Sequence, residues 1–439
     1  MEWSDFSDDY DMLFCDSAVA KSIKQDIYVN KLSRIKSIVK VLFLFFRKNK
    51  CIDFKYNGIN NLYVLESMTP SNFKTINPIF ELDKSSKLII VTTPVFQRID
   101  NVRYRGNLFN IDDYTFVNIG DFINSLHFCR RFNNKFRFVN IFQLIFLYLR
   151  ASSLNNVLNE LFSNVKCNNI ILTNDTLGLS NLIVQNSRVF NIKNYVLQHG
   201  LPTKFYFPTS ADNYIVWGRR FVSEFKNKGA RSKLYSLGSP KVDEVMKYCF
   251  SDAKYNDFLK RYNISNNKKI FTYFSNSHAP ELDKKVHEIN IKLLNGLISH
   301  KDYHVCIKLH PSESMQFIKE VLQPYDGKYT IIDHEDDVYD LVKFSSYCAS
   351  IYSTLLIESM CLGTYTFQFN ATKSHKIPDY SNGGGCVEIN SFEQLELSLN
   401  ASNKNKILNQ QLKYTENYFS NQGTSSEKIL ELIHERNCI

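Results

Sequence analysis

The chain contains several short stretches whose side chains are suited to binding a phosphate or moving a proton. One apolar run ends at His310 and Pro311 in the stretch IKLHPSES, where proline favours the start of a helix. An imidazolium at that point, beside the free amides of a helix N-terminus, would form an anion site. The alternative is a strand-end turn, because a His-Pro pair alone has little specificity.

A second stretch, SIYSTLLIESMCLG, places Ser353 and Thr354 where a predicted strand ends and a helix begins. Glu358 follows one turn later, on the same helical face as Thr354. Hydroxyls and exposed amides suit a phosphate, and a carboxylate one turn along suits a pair of ribose hydroxyls. Taken alone, the Ser and Thr could equally be N-cap residues.

A third stretch, FSNSHAP, follows the first strand of the same predicted domain and offers Ser275, Asn276 and Ser277. All three loops are expected at the same edge of one parallel sheet. Ligands of open α/β sheets bind at the carboxyl ends of the strands. We therefore predict a single ligand-binding site formed by these loops.

Two ionisable residues in the first half of the chain end apolar runs. Asp175 stands in NDTLG and His199 in NYVLQHG, each at the end of an apolar run. A carboxylate or an imidazole in such a place can accept a proton from an attacking hydroxyl. For His199 the alternative is a turn marked by Gln198 and Gly200, which would only shape the site.

The elements that must position these residues alternate between short apolar runs and amphipathic segments of helical length. This pattern predicts an α/β fold with parallel sheets covered on both faces. The pattern restarts near residue 268, so two doubly wound Rossmann-like domains are expected. The predicted parts are an acceptor-side domain at 1–240, a nucleotide-sugar domain at 241–400, and a helical region at 401–439 that packs back on the first domain. Two such domains around a central cleft form the GT-B architecture, which glycosyltransferases share with sugar-nucleotide epimerases.

Composition further narrows the classes of function that the chain could have. The 439 residues carry a net charge of +9, from 53 basic and 44 acidic side chains, and 44% of residues are hydrophobic. The ten cysteines form no CxxC pair, and the acidic N-terminus does not resemble a secretory signal, so a reduced, cytoplasmic protein is expected. Nucleic acid is not an expected partner, because no zinc-finger spacing, aromatic RNA-binding signature or dense basic tract occurs.

Two basic, aromatic stretches, 33–50 and 136–152, raise the question of a membrane. They could lie in a membrane interface on the inner face of the cell membrane, or form buried helices with solvated basic ends. No run of eighteen apolar residues occurs, so a spanning helix is not expected. No Asp-x-Asp ends a predicted strand, and no metal or other cofactor is needed for the site described above.

The ordered motifs KLHP and YST, with the downstream Glu358, resemble the HP and S/ST motifs of bacterial GT-B sialyltransferases, polysialyltransferases and Kdo or capsule transferases. The stretches QHG, VWG and LGSPKVD resemble the mid-chain pattern of teichoic-acid-type transferases. The resemblance covers about residues 168–370.

This resemblance implies that His310 meets the donor phosphate, helped by Ser353 and Thr354, and that Glu358 lies near the ribose. The sialyltransferases take their catalytic carboxylate from an acidic-Gly motif, which Asp175 matches imperfectly because two residues separate it from Gly178. In teichoic-acid-type enzymes the histidine of a QHG-like stretch is the candidate base, which points to His199.

The function implied is transfer of a sugar to a hydroxyl of a glycan or lipid-linked glycan, with inversion, during synthesis of a bacterial surface glycan. The HP and ST motifs favour a CMP-activated acid sugar, such as sialic acid or Kdo, as donor. The alternatives are a CDP-polyol phosphotransferase of teichoic-acid type, a UDP- or GDP-sugar transferase, an epimerase, and a non-catalytic protein that binds a sugar nucleotide or acts as a scaffold.

Overall fold

The computed structural model describes most of the chain in two compact units. The described residues are 38–39, 41–42, 58–99, 104, 107–133, 141–176, 178–202, 206–276, 284–310, 313–332, 336–374 and 378–435. One unit contains the described residues up to Lys241 together with those from Thr424 onward, and the other contains Val242–Gly423. The chain therefore leaves the first unit once and returns to it.

The first unit is built on a seven-stranded parallel sheet in the order β3-β2-β1-β4-β5-β6-β7. Its central strands are short runs of buried apolar residues, as expected for a sheet covered on both faces. The strands are β1 Asn61–Leu65, β2 Lys87–Val91, β3 Leu108–Asn110, β4 Asn169–Leu172, β5 Lys193–Leu197, β6 Asn213–Val216 and β7 Lys233–Ser236.

The second unit repeats this plan with six parallel strands in the order β10-β9-β8-β11-β12-β13. Its core combines aliphatic side chains with stacked aromatic rings such as Phe271 and Phe367. The strands are β8 Lys269–Phe274, β9 Tyr303–Lys308, β10 Tyr329–Ile332, β11 Tyr347–Ser350, β12 Tyr365–Phe369 and β13 Val387–Ile389.

Helices connect the strands in both units. They are α1 Pro70–Leu82, α2 Thr93–Phe96, α3 Ile119–Asn133, α4 Ile141–Asn164, α5 Gly178–Val189, α6 Arg219–Asn227, α7 Pro240–Met246, α8 Asp252–Arg261, α9 Lys284–Ile291, α10 Leu294–Ser299, α11 Met315–Val321, α12 Val338–Phe344, α13 Leu355–Cys361, α14 Phe392–Leu399, α15 Lys404–Tyr418 and α16 Ser425–Glu435. Short 3₁₀ turns occupy Ile111–Tyr114 and Gln323–Tyr325. Residues 38–39 and 41–42 are also helical.

The α/β fold class predicted from the sequence is confirmed, with some local differences. The segment 236–265, around the predicted domain boundary at residue 240, contains α7 and α8. The described residues between β8 and β9 form two helices, α9 and α10. Strands β3, β7 and β13 were not predicted.

The strand orders fix where ligand-binding loops converge. In each sheet the order reverses once, between β1 and β4 in the first and between β8 and β11 in the second. Loops diverge from the sheet at such a switch point and leave a crevice at the carboxyl ends of the strands. The loops after β1, β4, β5, β8, β9 and β11 therefore define the candidate sites.

Candidate active site

His199 lies just beyond β5 and its imidazole has a defined tautomer. Its Nδ1 is 2.6 Å from the backbone oxygen of Thr173, which follows the neighbouring strand β4. A carbonyl can only accept a hydrogen bond, so Nδ1 carries the proton. The other ring nitrogen, Nε2, is 3.2 Å from the hydroxyl of Tyr206 and, in the neutral imidazole, accepts a hydrogen bond from it.

The environment of His199 keeps this imidazole neutral. Burial lowers the pKa of His199 below its ordinary value of 6.5, although the bond to Thr173 partly opposes the shift. Burial disfavours the charged form of a histidine because the imidazolium loses its hydration. A neutral imidazole whose Nε2 has a lone pair is equipped to act as a general base.

The tyrosine beside His199 was not singled out from the sequence. The rings of His199 and Tyr206 stack with centroids 5.5 Å apart and planes 22° from parallel. A Cβ added to Gly200 would lie 3.1 Å from the Tyr206 hydroxyl. The glycine of the QHG motif thus gives the tyrosine room to reach His199.

Gln198 connects the QHG and VWG motifs. Its side-chain oxygen accepts a hydrogen bond from the backbone amide of Trp217 at 3.0 Å, and the Trp217 indole donates to the Gln198 carbonyl at 2.6 Å. The Gln198 amide donates in turn to the carbonyl of Gly200 at 3.0 Å. These buried bonds hold the ends of β5 and β6 together and fix the backbone on both sides of His199.

Asp175, the other candidate base, is buried and bound to the backbone. One carboxylate oxygen accepts hydrogen bonds from the amides of Ser210 at 2.6 Å and Ala211 at 2.9 Å. Burial raises the pKa of Asp175, and the two amide bonds oppose that shift. In this arrangement the carboxylate anchors the segment that leads into β6.

A carboxylate that sequence reasoning missed lies at the first switch point. Glu66 follows β1, and its oxygens accept hydrogen bonds from the amides of Leu179 at 3.3 Å and Ser180 at 3.2 Å. The Ser180 hydroxyl also donates to it at 2.7 Å. Glu66 thus caps the N-terminus of α5, where a negative charge is favoured by the helix dipole.

In the second unit, His310 lies at the end of β9 with an exposed side chain. Its backbone amide donates to the hydroxyl of Ser275, which follows β8, at 2.8 Å. Partial burial lowers the pKa of His310. Pro311 and Ser277, predicted for the same site, lie outside the described residues.

Asn276 holds the loop after β11 in place. Its side-chain oxygen accepts hydrogen bonds from the Ser350 hydroxyl at 2.9 Å and the Ile351 amide at 3.3 Å. Since Asn276 follows β8, these bonds link the two strands that flank the second switch point. The structure therefore brings the FSNS loop and the YST loop together.

The residues of the YST stretch have different surroundings. Ser353 and Thr354 are partly exposed, and the Ser353 hydroxyl accepts a hydrogen bond from the Leu355 amide at 3.2 Å. Glu358 is buried, and one of its carboxylate oxygens accepts a hydrogen bond from the hydroxyl of Tyr339 at 2.8 Å. Tyr339, on α12, was not among the residues that the sequence predicted for this site.

The described part of the chain contains neither a candidate metal cluster nor a candidate membrane-spanning helix. No group of three or more His, Cys, Asp or Glu side chains within them is arranged to hold a metal ion. None of the helices in the described part of the chain has both the length and the apolar character required to cross a bilayer.

Two doubly wound parallel units with these strand orders define the GT-B class of fold. Among solved structures, the chain is similar to the wall teichoic acid polymerase TagF, with a TM-score of 0.51 and 13% identity, covering 94% of this chain and 97% of that one. It is also similar to UDP-GlcNAc 2-epimerase from Methanocaldococcus jannaschii, with a TM-score of 0.58 and 13% identity over 85% and 99% of the two chains. A third such structure is the MnaA-UDP co-structure from S. aureus, with a TM-score of 0.55 and 14% identity over 87% and 98%.

Identities this low establish the fold alone. No protein-family model matches the chain, and no curated protein matches it in sequence.

Proposed function

We propose that this protein is a GT-B glycosyltransferase that builds a bacterial surface glycan from a nucleotide-activated donor, and that His199 is its general base. One observation carries the proposal, namely the neutral imidazole held between Thr173 and Tyr206 at the end of β5. Asp175 is the weaker candidate, because its carboxylate is buried and already accepts two amide hydrogen bonds.

In this reaction, an acceptor hydroxyl takes the place of the Tyr206 hydroxyl at Nε2 of His199. The hydroxyl transfers its proton to Nε2 as its oxygen bonds to the anomeric carbon of the donor. The bond from that carbon to the phosphate oxygen breaks, and the nucleotide leaves with the bonding electrons. Attack from the face opposite the leaving group inverts the anomeric centre.

The second unit is proposed to bind the donor and stabilise the charge that develops on the leaving phosphate. His310 supplies an exposed imidazole, and Ser353 and Thr354 supply hydroxyls. Preorganised donors of this kind are worth on the order of 3 kcal/mol each in a transition state. Glu358, oriented by Tyr339, is proposed to bind the ribose.

For the donor we infer a CMP-activated acid sugar of the sialic acid or Kdo kind, transferred to a glycan or lipid-linked glycan. The KLHP and YST motifs support this choice through their resemblance to bacterial sialyltransferases and related enzymes. The resemblance of the QHG, VWG and LGSPKVD stretches to teichoic-acid-type transferases keeps a CDP-activated polyol as the rival donor.

Thermal shift with CMP, CDP, UDP and GDP discriminates between these donors. We expect CMP to raise the melting temperature most, because at equal concentration the nucleotide that binds most tightly stabilises the folded state most. Stabilisation by CDP alone would favour the polyol donor, and stabilisation by UDP alone would contradict the CMP proposal.

The assignment of the base is tested with His199→Ala and Asp175→Asn. We expect His199→Ala to lower the turnover number about 10²- to 10⁴-fold, the usual contribution of general base catalysis. Asp175→Asn keeps an acceptor oxygen for the amides of Ser210 and Ala211, so it should leave the turnover number within a few-fold of wild type and lower the melting temperature only slightly. Near-wild-type turnover of His199→Ala would show that His199 is not the base.

The pH profile provides an independent check. Because the pKa of His199 lies below 6.5, wild-type activity should be retained at pH 6.5 and lost as the pH falls through that lowered value. An acid limb centred above pH 6.5 would contradict the neutral-imidazole assignment.

We further infer a cytoplasmic location with peripheral contact to the inner face of the cell membrane. The support is the apolar face of α3, where Ile119, Ile123 and Leu126 are 77%, 48% and 43% exposed. The exposed Arg130 and Arg150 nearby in sequence would favour anionic headgroups. Most of the stretch 33–50 lies outside the described residues.

A further inference from the structure

The backbone that leads into the Ser and Thr hydroxyls of the YST loop is held from two sides by buried side chains. From the side of β8, the Asn276 side-chain oxygen accepts hydrogen bonds from the amides of Ile351 at 3.3 Å and Tyr352 at 3.4 Å. From the side of β12, the Gln368 amide donates to the Ile351 carbonyl at 2.9 Å. The Tyr380 hydroxyl donates to the Tyr352 carbonyl at 3.0 Å. The amide and the carbonyl of both residues are therefore bound within the second unit.

Gln368 connects the YST loop to the segment that follows β12. It is buried near the end of β12, in register with Ser350 of β11. Besides Ile351, its amide nitrogen binds the carbonyl of Pro378 at 2.7 Å, and its oxygen accepts the amide of Tyr380 at 2.9 Å. Burying a side-chain amide costs free energy unless its polar atoms are hydrogen-bonded, and here both donor protons and the oxygen have partners.

The glycine-rich stretch SNGGG follows Tyr380 and folds back onto its backbone. Gly383 and Gly384 have positive φ angles of 86° and 89°, a conformation that favours glycine. The amide of Cys386 donates to the Tyr380 carbonyl at 2.8 Å, and a Cβ on Gly385 would lie 1.9 Å from that carbonyl oxygen. A larger residue at position 385 would displace the backbone, so the turn fixes the position of Tyr380.

We propose that Gln368 and Tyr380, braced by the SNGGG turn, position the Ser and Thr hydroxyls of the YST loop for the donor phosphate. This inference rests on the proposed function, in which Ser353 and Thr354 bind that phosphate. The Ser353 hydroxyl accepts the Leu355 amide, so its own proton is left to donate to a phosphate oxygen. Gln368 and Tyr380 are positioning residues, because they act through the backbone that precedes these hydroxyls. A hydroxyl held in place in advance needs no reorganisation when the charge arrives.

The Tyr380 hydroxyl separates positioning from packing. Phenylalanine at this position would keep the ring that lies edge-on to Tyr418, with centroids 6.4 Å apart. It would release only the carbonyl of Tyr352, a partly exposed residue whose carbonyl can bind water instead. A purely structural role therefore predicts a small loss of stability and unchanged ligand binding, whereas a positioning role predicts weaker binding of the phosphate.

The experiment compares CMP with cytidine, which lacks the phosphate. Calorimetry measures the dissociation constant of CMP directly and that of cytidine by competition with CMP. We expect Tyr380→Phe to weaken CMP about 5- to 10-fold and to leave cytidine within about 2-fold of wild type. Ser353→Ala/Thr354→Ala should reduce the preference for CMP over cytidine at least as much. Adding Tyr380→Phe to that variant should then change the preference no further, because residues that act through one contact are not additive.

Tyr347→Phe is the matched control. Tyr347 begins β11, at the opposite end of this strand from the YST loop, and its hydroxyl accepts a hydrogen bond from Lys404 at 2.6 Å. Its loss should lower the melting temperature about as much as Tyr380→Phe does and leave the preference for CMP over cytidine unchanged.

Gly385→Ala is a second variant, which moves Tyr380 through the glycine turn. It should lower the melting temperature and also reduce the preference for CMP in the folded protein. If Gly385→Ala does not fold, the result for Tyr380→Phe, which retains the ring, still decides.

The possible outcomes distinguish failure of this inference from failure of the proposed function. If the wild-type protein binds none of CMP, CDP, UDP and GDP, both fail. If it binds only another of these nucleotides, the CMP donor is wrong, and that nucleotide and its nucleoside take the places of CMP and cytidine. If Ser353→Ala/Thr354→Ala abolishes the preference for the phosphate but Tyr380→Phe preserves it, the positioning role is refuted and the proposed function stands. Equal weakening of CMP and cytidine by Tyr380→Phe would refute the positioning role as well.

Discussion

At the scale of single residues, the tautomer and hydrogen bonds of the His199 imidazole are determined by residues on other segments of the chain. Thr173 sets its tautomer from the neighbouring strand, and Tyr206 occupies its second nitrogen from a following loop. The sequence identified the histidine because it ends an apolar run. Tyr206 could not be identified in this way, since the chain contains 25 tyrosines and no spacing marks this one.

Gly200→Ala tests the contact between the glycine and the tyrosine. The new Cβ would meet the Tyr206 hydroxyl at 3.1 Å, so the hydroxyl must shift by a few tenths of an ångström. We expect turnover to fall roughly 3- to 10-fold, because small displacements next to a reacting group are costly. The melting temperature should change little, since Gly200 is only partly buried.

Tyr206→Phe provides the matched background for this variant. Without the hydroxyl there is nothing for the Cβ to displace, so Gly200→Ala should have almost no further effect in the Tyr206→Phe protein. Steady-state kinetics of the two single variants and the double variant measure this. If the losses of turnover in Gly200→Ala and Tyr206→Phe add in the double variant, Gly200 does not act by leaving room for the Tyr206 hydroxyl.

At the scale of elements, most of the strands that the sequence predicted have residues buried on both faces, and the partly buried β10 is the exception. Short, continuous apolar runs such as KLIIV at β2 and KIFTYF at β8 favour a buried strand through their length and β-branched or aromatic residues, and both form strands. The missed strands β3, β7 and β13 have three or four residues, and β7 has no buried residue. These short strands form because they pair with a neighbouring strand, and the local sequence pattern does not reveal that pairing.

Helix α3 is the element that carries the prediction of membrane contact. Replacing Ile119 and Ile123 by Ser removes exposed apolar surface, so we expect binding to vesicles with anionic lipid to weaken several-fold. Co-sedimentation with anionic and with neutral vesicles measures it. Leu397→Ser, at a side chain on α14 that is 74% exposed, is the control and should bind as wild type does. Unchanged binding of the α3 variant would place the contact elsewhere.

At the scale of the whole molecule, the two units are linked by more than one passage of the chain. The chain enters the second unit within α7 and returns at Thr424, so α16 belongs to the first unit. There, Ile429 and Ile433 are fully buried in the same core as Ile79 of α1. The sequence predicted a C-terminal helical region at 401–439 that packs back on the first domain, whereas the tertiary structure divides this region, with α15 in the second unit and α16 in the first.

Ile433→Ala should therefore destabilise the first unit, most of which precedes residue 242 in the sequence. Truncating a fully buried isoleucine leaves a cavity and costs about 2 to 5 kcal/mol. Because that cavity lies in the core of the first unit, hydrogen exchange should accelerate in β1, β2 and α1. Exchange in β8 and β9 should remain as in wild type, although residue 433 follows these strands in the chain. Mass spectrometry of the exchanged peptides, with the exposed Leu397→Ala as control, distinguishes this from a uniform loss of protection, which would mean that the two units unfold as one.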